Sequence, residues 1–168
     1  MKKKRILAML LAVTSCLSLA VSASAANPVN RKATDFRDYD RTAWYAEAVS
    51  AAVDNGLLYG KSATVIDPNG DMTRAEMAAI INRSFGCYKA ADISQYKDVS
   101  KSKWYYKDVA LAVQMGTYNG RSSSTMAPDA PISRQEAMTV VARALELDYD
   151  SYSKTDLSVF SDRSEISN

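Results

Sequence analysis

The chain has 168 residues, 47% of them apolar, with no histidine and two cysteines, enough for one ordinary domain or two small ones. The absence of histidine excludes Ser-His-Asp and Cys-His nucleophilic catalysis and His-ligated zinc. Its formal charge of +2 includes Lys2, Lys3, Lys4 and Arg5; beyond residue 25 there are 17 basic against 19 acidic residues, net −2, which lacks the basic excess of a nucleic-acid binder.

Residues 1–25 read as a secretory signal peptide. Positive charge at Lys2–Arg5 precedes an apolar run from Ile6 to about Val21, and Ala23-Ser24-Ala25 supplies small residues for cleavage before Ala26. The run is short for a membrane span and ends in small polar residues, and no other span is expected downstream. Val13-Thr14-Ser15-Cys16 loosely resembles a lipobox, which makes lipidation at Cys16 the alternative to cleavage after Ala25. Cleavage leaves Cys87 as the single thiol, with no internal disulfide or four-cysteine metal site. Both routes take the chain out of the cytoplasm.

After a linker at 26–33, the pattern predicts a first helix from about Ala43 to Asn55. Thr42 suits its N-cap, and Gly56 suits the left-handed position that ends a helix. Ala48, Val49, Ala52 and Val53 form its apolar stripe. Leu57–Asp71 is rich in Gly, Ser, Asp and Pro and reads as loop, with a short extended piece at Val65-Ile66. A second helix follows Thr73 and continues to about Phe85, burying Met77, Ile80 and Ile81. Beyond a linker at 89–93 the same order returns at an offset of 60 residues. Asp38 falls on Asp98, Trp44 on Trp104, Tyr45 on Tyr105, Gly56 on Gly116, Gly60 on Gly120 and Pro68 on Pro128. Arg74, Glu76 and Arg83 fall on Arg134, Glu136 and Arg143, while Phe36 meets Tyr96, Lys61 meets Arg121 and Thr73 meets Ser133. The second copy caps its first helix with Ser102, buries Val109, Ala112 and Val113, and ends at Gly116; its second helix buries Met138, Val141 and Leu145. A linker at 148–156 leads to Phe160-Ser161-Asp162, the opening of a third copy over 157–168. The organisation is thus an all-α repeat of 34–88 and 94–147, whose units bury their cores partly against each other.

Thr73-Arg74-Ala75-Glu76 and Ser133-Arg134-Gln135-Glu136 have the spacing of a capping box, which accounts for Thr73, Glu76, Ser133 and Glu136 as helix-capping residues. Arginine at the first helical position is not part of that motif, and a cation there opposes the helix dipole by about 0.3–1 kcal/mol. Two readings stand for Arg74 and Arg134. Either guanidinium and helix N–H groups hold a carboxylate or phosphate, or each arginine pairs with a nearby acid such as Asp71 or Asp129. Trp44 and Trp104 are either core or faces on which a sugar ring stacks. Asp38 and Asp98 either cap a turn or accept from sugar hydroxyls. Gly60 and Gly120 are either turn glycines or points of close ligand approach, with Lys61 and Arg121 beside them as solvated cations.

Asp67-Pro68-Asn69-Gly70-Asp71 starts like a calcium loop, but Met72 stands where an EF-hand needs glycine and Ala78 where it needs glutamate, so no metal is expected. Cys87 reads as a semi-buried small residue. A two-carboxylate hydrolase would fall on Glu76 and Glu136, but both are committed as caps and lie in separate units.

Phe36-x-Asp38, Trp44, Gly56, Gly60, Pro68 and Thr73-Arg74-Ala75-Glu76, in that order, resemble the S-layer homology domain family over about 34–88 and 94–147, with a fragment from about 157. The resemblance implies helix–loop–helix units around a pseudo-threefold helical core. It also implies a non-catalytic module, without cofactor, that anchors an exported protein to the bacterial cell surface. The implied partner is a secondary cell-wall polysaccharide bearing ketal-linked pyruvate, with no nucleic acid and no stable membrane span. Arg74 and Arg134 would receive the pyruvate carboxylate, and Trp44, Trp104, Asp38, Asp98, Gly60 and Gly120 would line grooves between units. Ser133 and Gln135 depart from the usual threonine and alanine without losing the capping and arginine roles, and Tyr96 replaces phenylalanine. Family members carry three units, so a homotrimer or another chain would complete the third. The alternatives are an envelope protein–protein repeat and a truncated, non-binding fragment of a larger protein.

Overall fold

The computed structural model describes residues 31–148 and 158–165; the expected signal peptide, Cys16 and most of the linker at 148–156 lie outside the described residues. The fold is all-α. Its helices are α1 (Ala46–Asp54), α2 (Arg74–Phe85), α3 (Tyr106–Gln114) and α4 (Arg134–Ala144), with short 3-10 turns at Ala33–Asp35 and Arg163–Glu165. Among the described residues no strand forms, and the piece at Val65-Ile66 is irregular. No helix among them is long and apolar enough to cross a membrane.

The chain divides into two compact units after Pro68. This boundary falls inside the first sequence repeat, so α2 belongs with the second repeat's helices and not with α1. The first unit is small. Ala33, Phe36, Val53 and Ile66 form its core, with Tyr39, Val49 and Leu58 packed against them.

Helix α1 begins three residues later than its pattern predicts. Thr42 does not cap it, because Asp40 Oδ1 accepts from both the Thr42 amide (2.8 Å) and the Thr42 hydroxyl (2.7 Å). In the second repeat Ser102 is likewise diverted, its hydroxyl lying 2.9 Å from that of Ser100. Tyr45 and Tyr105 take the cap positions, without side-chain capping bonds. The helix ends follow expectation. Gly56 (φ 68°) and Gly116 (φ 72°) are left-handed, a conformation that costs a residue with a Cβ about 1–2 kcal/mol. The following amides, Leu57 and Thr117, reach back to Ala52 O (2.8 Å) and Ala112 O (3.1 Å), closing a Schellman motif each time.

In the second unit α2 packs chiefly on α3 and more lightly on α4. Ala75 and Ala78 of α2 and Ala110 and Ala112 of α3 are all buried in one cluster with Ile81, Ile93, Val109 and Val140. Small side chains on both helices let the backbones approach closely, and Asn82 Nδ2 donates across the contact to Asp108 O (2.8 Å). Helix α4 behaves differently from α2 at the same repeat position. Met138 is 59% exposed, contrary to the buried face expected for it, whereas its counterpart Ala78 is fully buried; Leu145, also expected to be buried, is 53% exposed like its counterpart Phe85 at the end of α2. Ala48, expected in the α1 stripe, is also exposed. Met138 and Ala48 share a reason: α2 has α3 against it, and α1 and α4 have no such neighbour among the described residues of their own units.

Candidate functional site

Both capping boxes form. Thr73 Oγ1 accepts from the Glu76 amide and Ser133 Oγ from the Glu136 amide (3.2 Å each), while Glu76 Oε2 and Glu136 Oε2 accept from the Thr73 and Ser133 amides at 2.8 and 2.9 Å. These boxes set the first helical residue, and thus where each arginine starts.

Arg74 turns inward. Its residue is 5% exposed, Nη1 donates to Glu136 Oε1 at 2.9 Å, Nε to Met126 O at 3.1 Å and Nη2 to Asn119 O at 3.2 Å. The guanidinium carbon lies 5.2 Å from the centre of the Tyr118 ring, within cation–π range. The acid partner is therefore the second repeat's capping glutamate, not Asp71 or Asp129; Asp129 accepts instead from Tyr105 OH (2.8 Å). The N-terminal amides of α2 are also spent, since Arg74 N donates to Ala130 O (3.0 Å) and Ala75 N to Pro128 O (2.9 Å). An anion at the mouth of α2 would find no open amide there.

Glu136 is the hub of the second unit's electrostatics. Its two oxygens serve the cap, Arg74 and Arg121, whose Nη2 lies 3.2 and 3.4 Å away. Burial pushes this carboxyl up, but the Ser133 amide and the charges of Arg74 and Arg121 outweigh burial and hold it below the ordinary glutamate range. Around it opens a cleft of about 790 Å³, lined among others by Arg74, Gly120, Arg121, Ser133, Glu136 and Arg143. Three guanidinium groups face one carboxylate, a local excess of positive charge on a chain whose overall balance shows none. Arg121 has a side chain 47% exposed and commits only Nη2. Arg143 makes a single long bond, Nη1 to Thr117 O at 3.5 Å. Both retain donors for a bidentate anion.

Of the residues expected to line a groove, Arg74 and Gly120 lie on this cleft; Arg134, Trp104 and Asp98 are not among its lining residues. Arg134 is exposed and has no hydrogen-bond or ion-pair partner among the described residues. Trp44 and Trp104 are 95% and 60% exposed, so neither is core, and each meets the following tyrosine edge to face. Asp38 holds a turn, accepting from Ile66 N (2.9 Å) and Asp67 N (2.7 Å); Asp98 repeats this with Met126 N (2.9 Å) and Ala127 N (2.6 Å). The residue held is left-handed each time, with φ 59° at Asp67 and 56° at Ala127. The Ile66 amide leads in lowering the Asp38 carboxyl. Gly60 and Gly120 are required by a ring. A Cβ on Gly60 would lie 2.6 Å from Phe36 Cε1, and one on Gly120 would collide with the Tyr96 ring. The Tyr96 hydroxyl also accepts from Gly120 N at 3.3 Å, a bond phenylalanine lacks.

In the sequence Arg121 reads as a solvated cation and Arg143 only as an aligned helix residue. Their recurrence opposite Lys61 and Arg83 was visible, but the fold was needed to bring both to one cleft. No group of three or more His, Cys, Asp or Glu among the described residues has metal-binding geometry.

The model of the S-layer homology domain matches residues 35–78 and 95–138, more than half of the chain, and the chain belongs to that family. It is 35% identical over 116 residues to the Surface-layer 125 kDa protein of Lysinibacillus sphaericus, covering 67% of this chain and 10% of that protein. It is 28% identical over 145 residues to an endoglucanase of Bacillus sp. (strain KSM-635), covering 85% and 15% of the two chains. An S-layer protein of Bacillus thuringiensis subsp. finitimus is 21% identical over 136 residues, 81% of this chain and 16% of that one. The chain thus spans a sixth or less of the length of these relatives. It is a repeat module of secreted cell-surface proteins.

Proposed function

We propose that the chain is a non-catalytic anchoring module that binds an anionic secondary cell-wall polysaccharide, with a pyruvate ketal as the recognised anion. The observation that carries this reading is the arginine cleft. Arg121 and Arg143 have unspent donors, and Arg74 supplies fixed positive charge from the wall behind them. A carboxylate entering the cleft competes with Glu136 for Arg121, so one ion pair is exchanged for another and little desolvation goes uncompensated. Asp38, Asp98, Gly60 and Gly120 act through loop shape. Trp44 and Trp104 offer exposed rings for sugar stacking outside this cleft, and Arg134 serves a second site.

The surface-layer proteins and the endoglucanase share this module as a small part of much longer chains, which suits an anchor that is independent of its cargo. Self-association, as a homotrimer or with another chain, belongs to the same proposal. Pull-down of the protein with wall sacculi before and after chemical removal of the secondary polymer tests the reading. Retention is expected only on untreated sacculi; equal retention on both would favour protein partners instead.

A further inference from the structure

Three asparagines precede a glycine: Asn55-Gly56, Asn69-Gly70 and Asn119-Gly120. Glycine has no side chain to shield its backbone nitrogen, so each pair holds the reactants for attack of that nitrogen on the asparagine side-chain carbon. Exposure does not separate the three, because all three asparagines are exposed. Hydrogen bonding does. At the end of α1, Gly56 N donates to Val53 O at 3.0 Å and Asn55 Nδ2 donates to Ala51 O at 2.8 Å, so nucleophile and side chain are both committed to the helix. On the arginine cleft, Gly120 N donates to Tyr96 OH at 3.3 Å and Asn119 O accepts from Arg74 Nη2 at 3.2 Å, which pins the linking peptide from two sides. Asn69 and Gly70 have neither restraint. Both are exposed, and among the described residues no hydrogen bond or ion pair reaches either one. In the second repeat Ala130 N closes the corresponding turn on Ala127 O at 3.2 Å, whereas Gly70 N makes no such bond to Asp67 O.

We propose that Asn69 is a site of self-modification: in the folded protein it loses its side-chain amide to the Gly70 nitrogen and becomes aspartate or isoaspartate, while the fold holds Asn55 and Asn119 back. The Gly70 nitrogen, its proton taken by solvent hydroxide, attacks Asn69 Cγ. The new C–N bond closes a cyclic imide, and the side-chain nitrogen departs as ammonia, taking its extra proton from water. Water then opens the imide at either carbonyl, so each conversion consumes a water and releases an ammonia. The product suits the turn. In the 60-residue register Asn69 stands opposite Asp129, an aspartate that the second repeat already carries there, accepting from Tyr105 OH at 2.8 Å. Conversion to aspartate thus gives the first repeat the residue type of the second, with an added negative charge. Conversion to isoaspartate instead inserts a methylene into the main chain, between the left-handed Asp67 (φ 59°) and the capping box that starts at Thr73. The cleft is spared. The bonds that set Asn119 and Gly120 at its wall also prevent a new carboxylate from forming beside Arg121. The reaction at Asn69 does not depend on any ligand of that cleft.

Incubation of the exported chain at mildly alkaline pH, followed by peptide mapping with mass spectrometry and an isoaspartate assay, tests the assignment. Each asparagine is timed in the folded protein and in urea. In urea the three pairs should react at similar rates, since only local sequence then distinguishes them. In the folded protein Asn69 should keep its urea rate to within about threefold, while Asn55 and Asn119 slow by at least about tenfold, as expected where hydrogen bonds must open first. The folded chain should also accumulate an acidic species on ion exchange, and Asn69→Gln should remove it, because the larger ring that glutamine must close forms far more slowly. Circular dichroism establishes that this variant keeps its helices. Folding that slows Asn69 by about tenfold, or a folded chain in which Asn55 or Asn119 reacts as fast as Asn69, overturns the proposal. An acidic species that persists undiminished in folded Asn69→Gln does the same.

Discussion

Arg74 and Arg134 stand at the same position of the same motif, yet one is buried in the second unit and the other projects into solvent. Arg74 is held by a carboxylate, two main-chain carbonyls and an aromatic face, all supplied by the following repeat. Arg134 begins a helix with an equally complete capping box but has no such neighbours among the described residues. The difference teaches that the motif places the arginine and the next repeat assigns its role. Arg74 spends all three guanidinium nitrogens within the protein, whereas Arg121 and Arg143 keep donors open to the cleft.

Substitution should expose this contrast first in stability. Arg74→Ala leaves the Glu136 charge short of its partner and strips the bonds to Met126 and Asn119. Breaking a pair buried to this degree costs about 3–5 kcal/mol, whereas Arg134→Ala should stay within about 0.5 kcal/mol. Urea denaturation of both variants gives the comparison directly, and equal effects would remove the distinction drawn between them.

The aromatic–glycine contact should yield the next largest loss. Gly120→Ala forces a Cβ onto the Tyr96 ring and to 2.8 Å from Thr125 O, an overpacking worth about 1–3 kcal/mol. Gly116→Ala meets no atom within 4 Å and carries only the left-handed strain of φ 72°, about 1–2 kcal/mol. Thermal melting should rank Gly120→Ala below Gly116→Ala; the reverse order would show that the Tyr96 ring yields.

Acid offers a third comparison, between Glu136 and its glutamine variant. The folded-state carboxyl is held below the ordinary glutamate range, so the unfolded chain binds the proton first as pH falls. The stabilisation from this group is complete above the ordinary range and disappears as pH drops through the lowered folded value. Stability measured against pH should fall across that window in the native protein, and Glu136→Gln should start lower at neutral pH and lose this part of the slope. An unchanged slope would mean that other carboxylates govern acid unfolding.

Much of the architecture was legible before any coordinates. The repeat offset, the starts of α2 and α4 at their capping boxes, and the stops at Gly56 and Gly116 follow from short-range chemistry that a sequence displays. The start of α1 was not legible, because Asp40 competes for the hydroxyl of Thr42 and nothing in the spacing tells a cap from a turn. Nor was the fate of Arg74, whose acid lies 62 residues along the chain. The exposure of Met138 has the same cause: helical periodicity marks an apolar face without saying whether a neighbour covers it. Spacing alone leaves Asp38 and Asp98 open between turn and ligand, and only the fold shows each holding a turn, through the amides of Ile66 and Asp67 and of Met126 and Ala127.

The central claim is that the arginine cleft binds an acidic wall saccharide through donors that folding leaves unspent. Isothermal titration of a pyruvylated wall saccharide into the Arg121→Gln/Arg143→Gln double variant tests it most directly, with denaturation confirming that the fold survives. Each lost charge-assisted bond is worth about 1.5–3 kcal/mol, so affinity should fall by at least about tenfold relative to the native protein. Native affinity in a folded double variant would contradict the account.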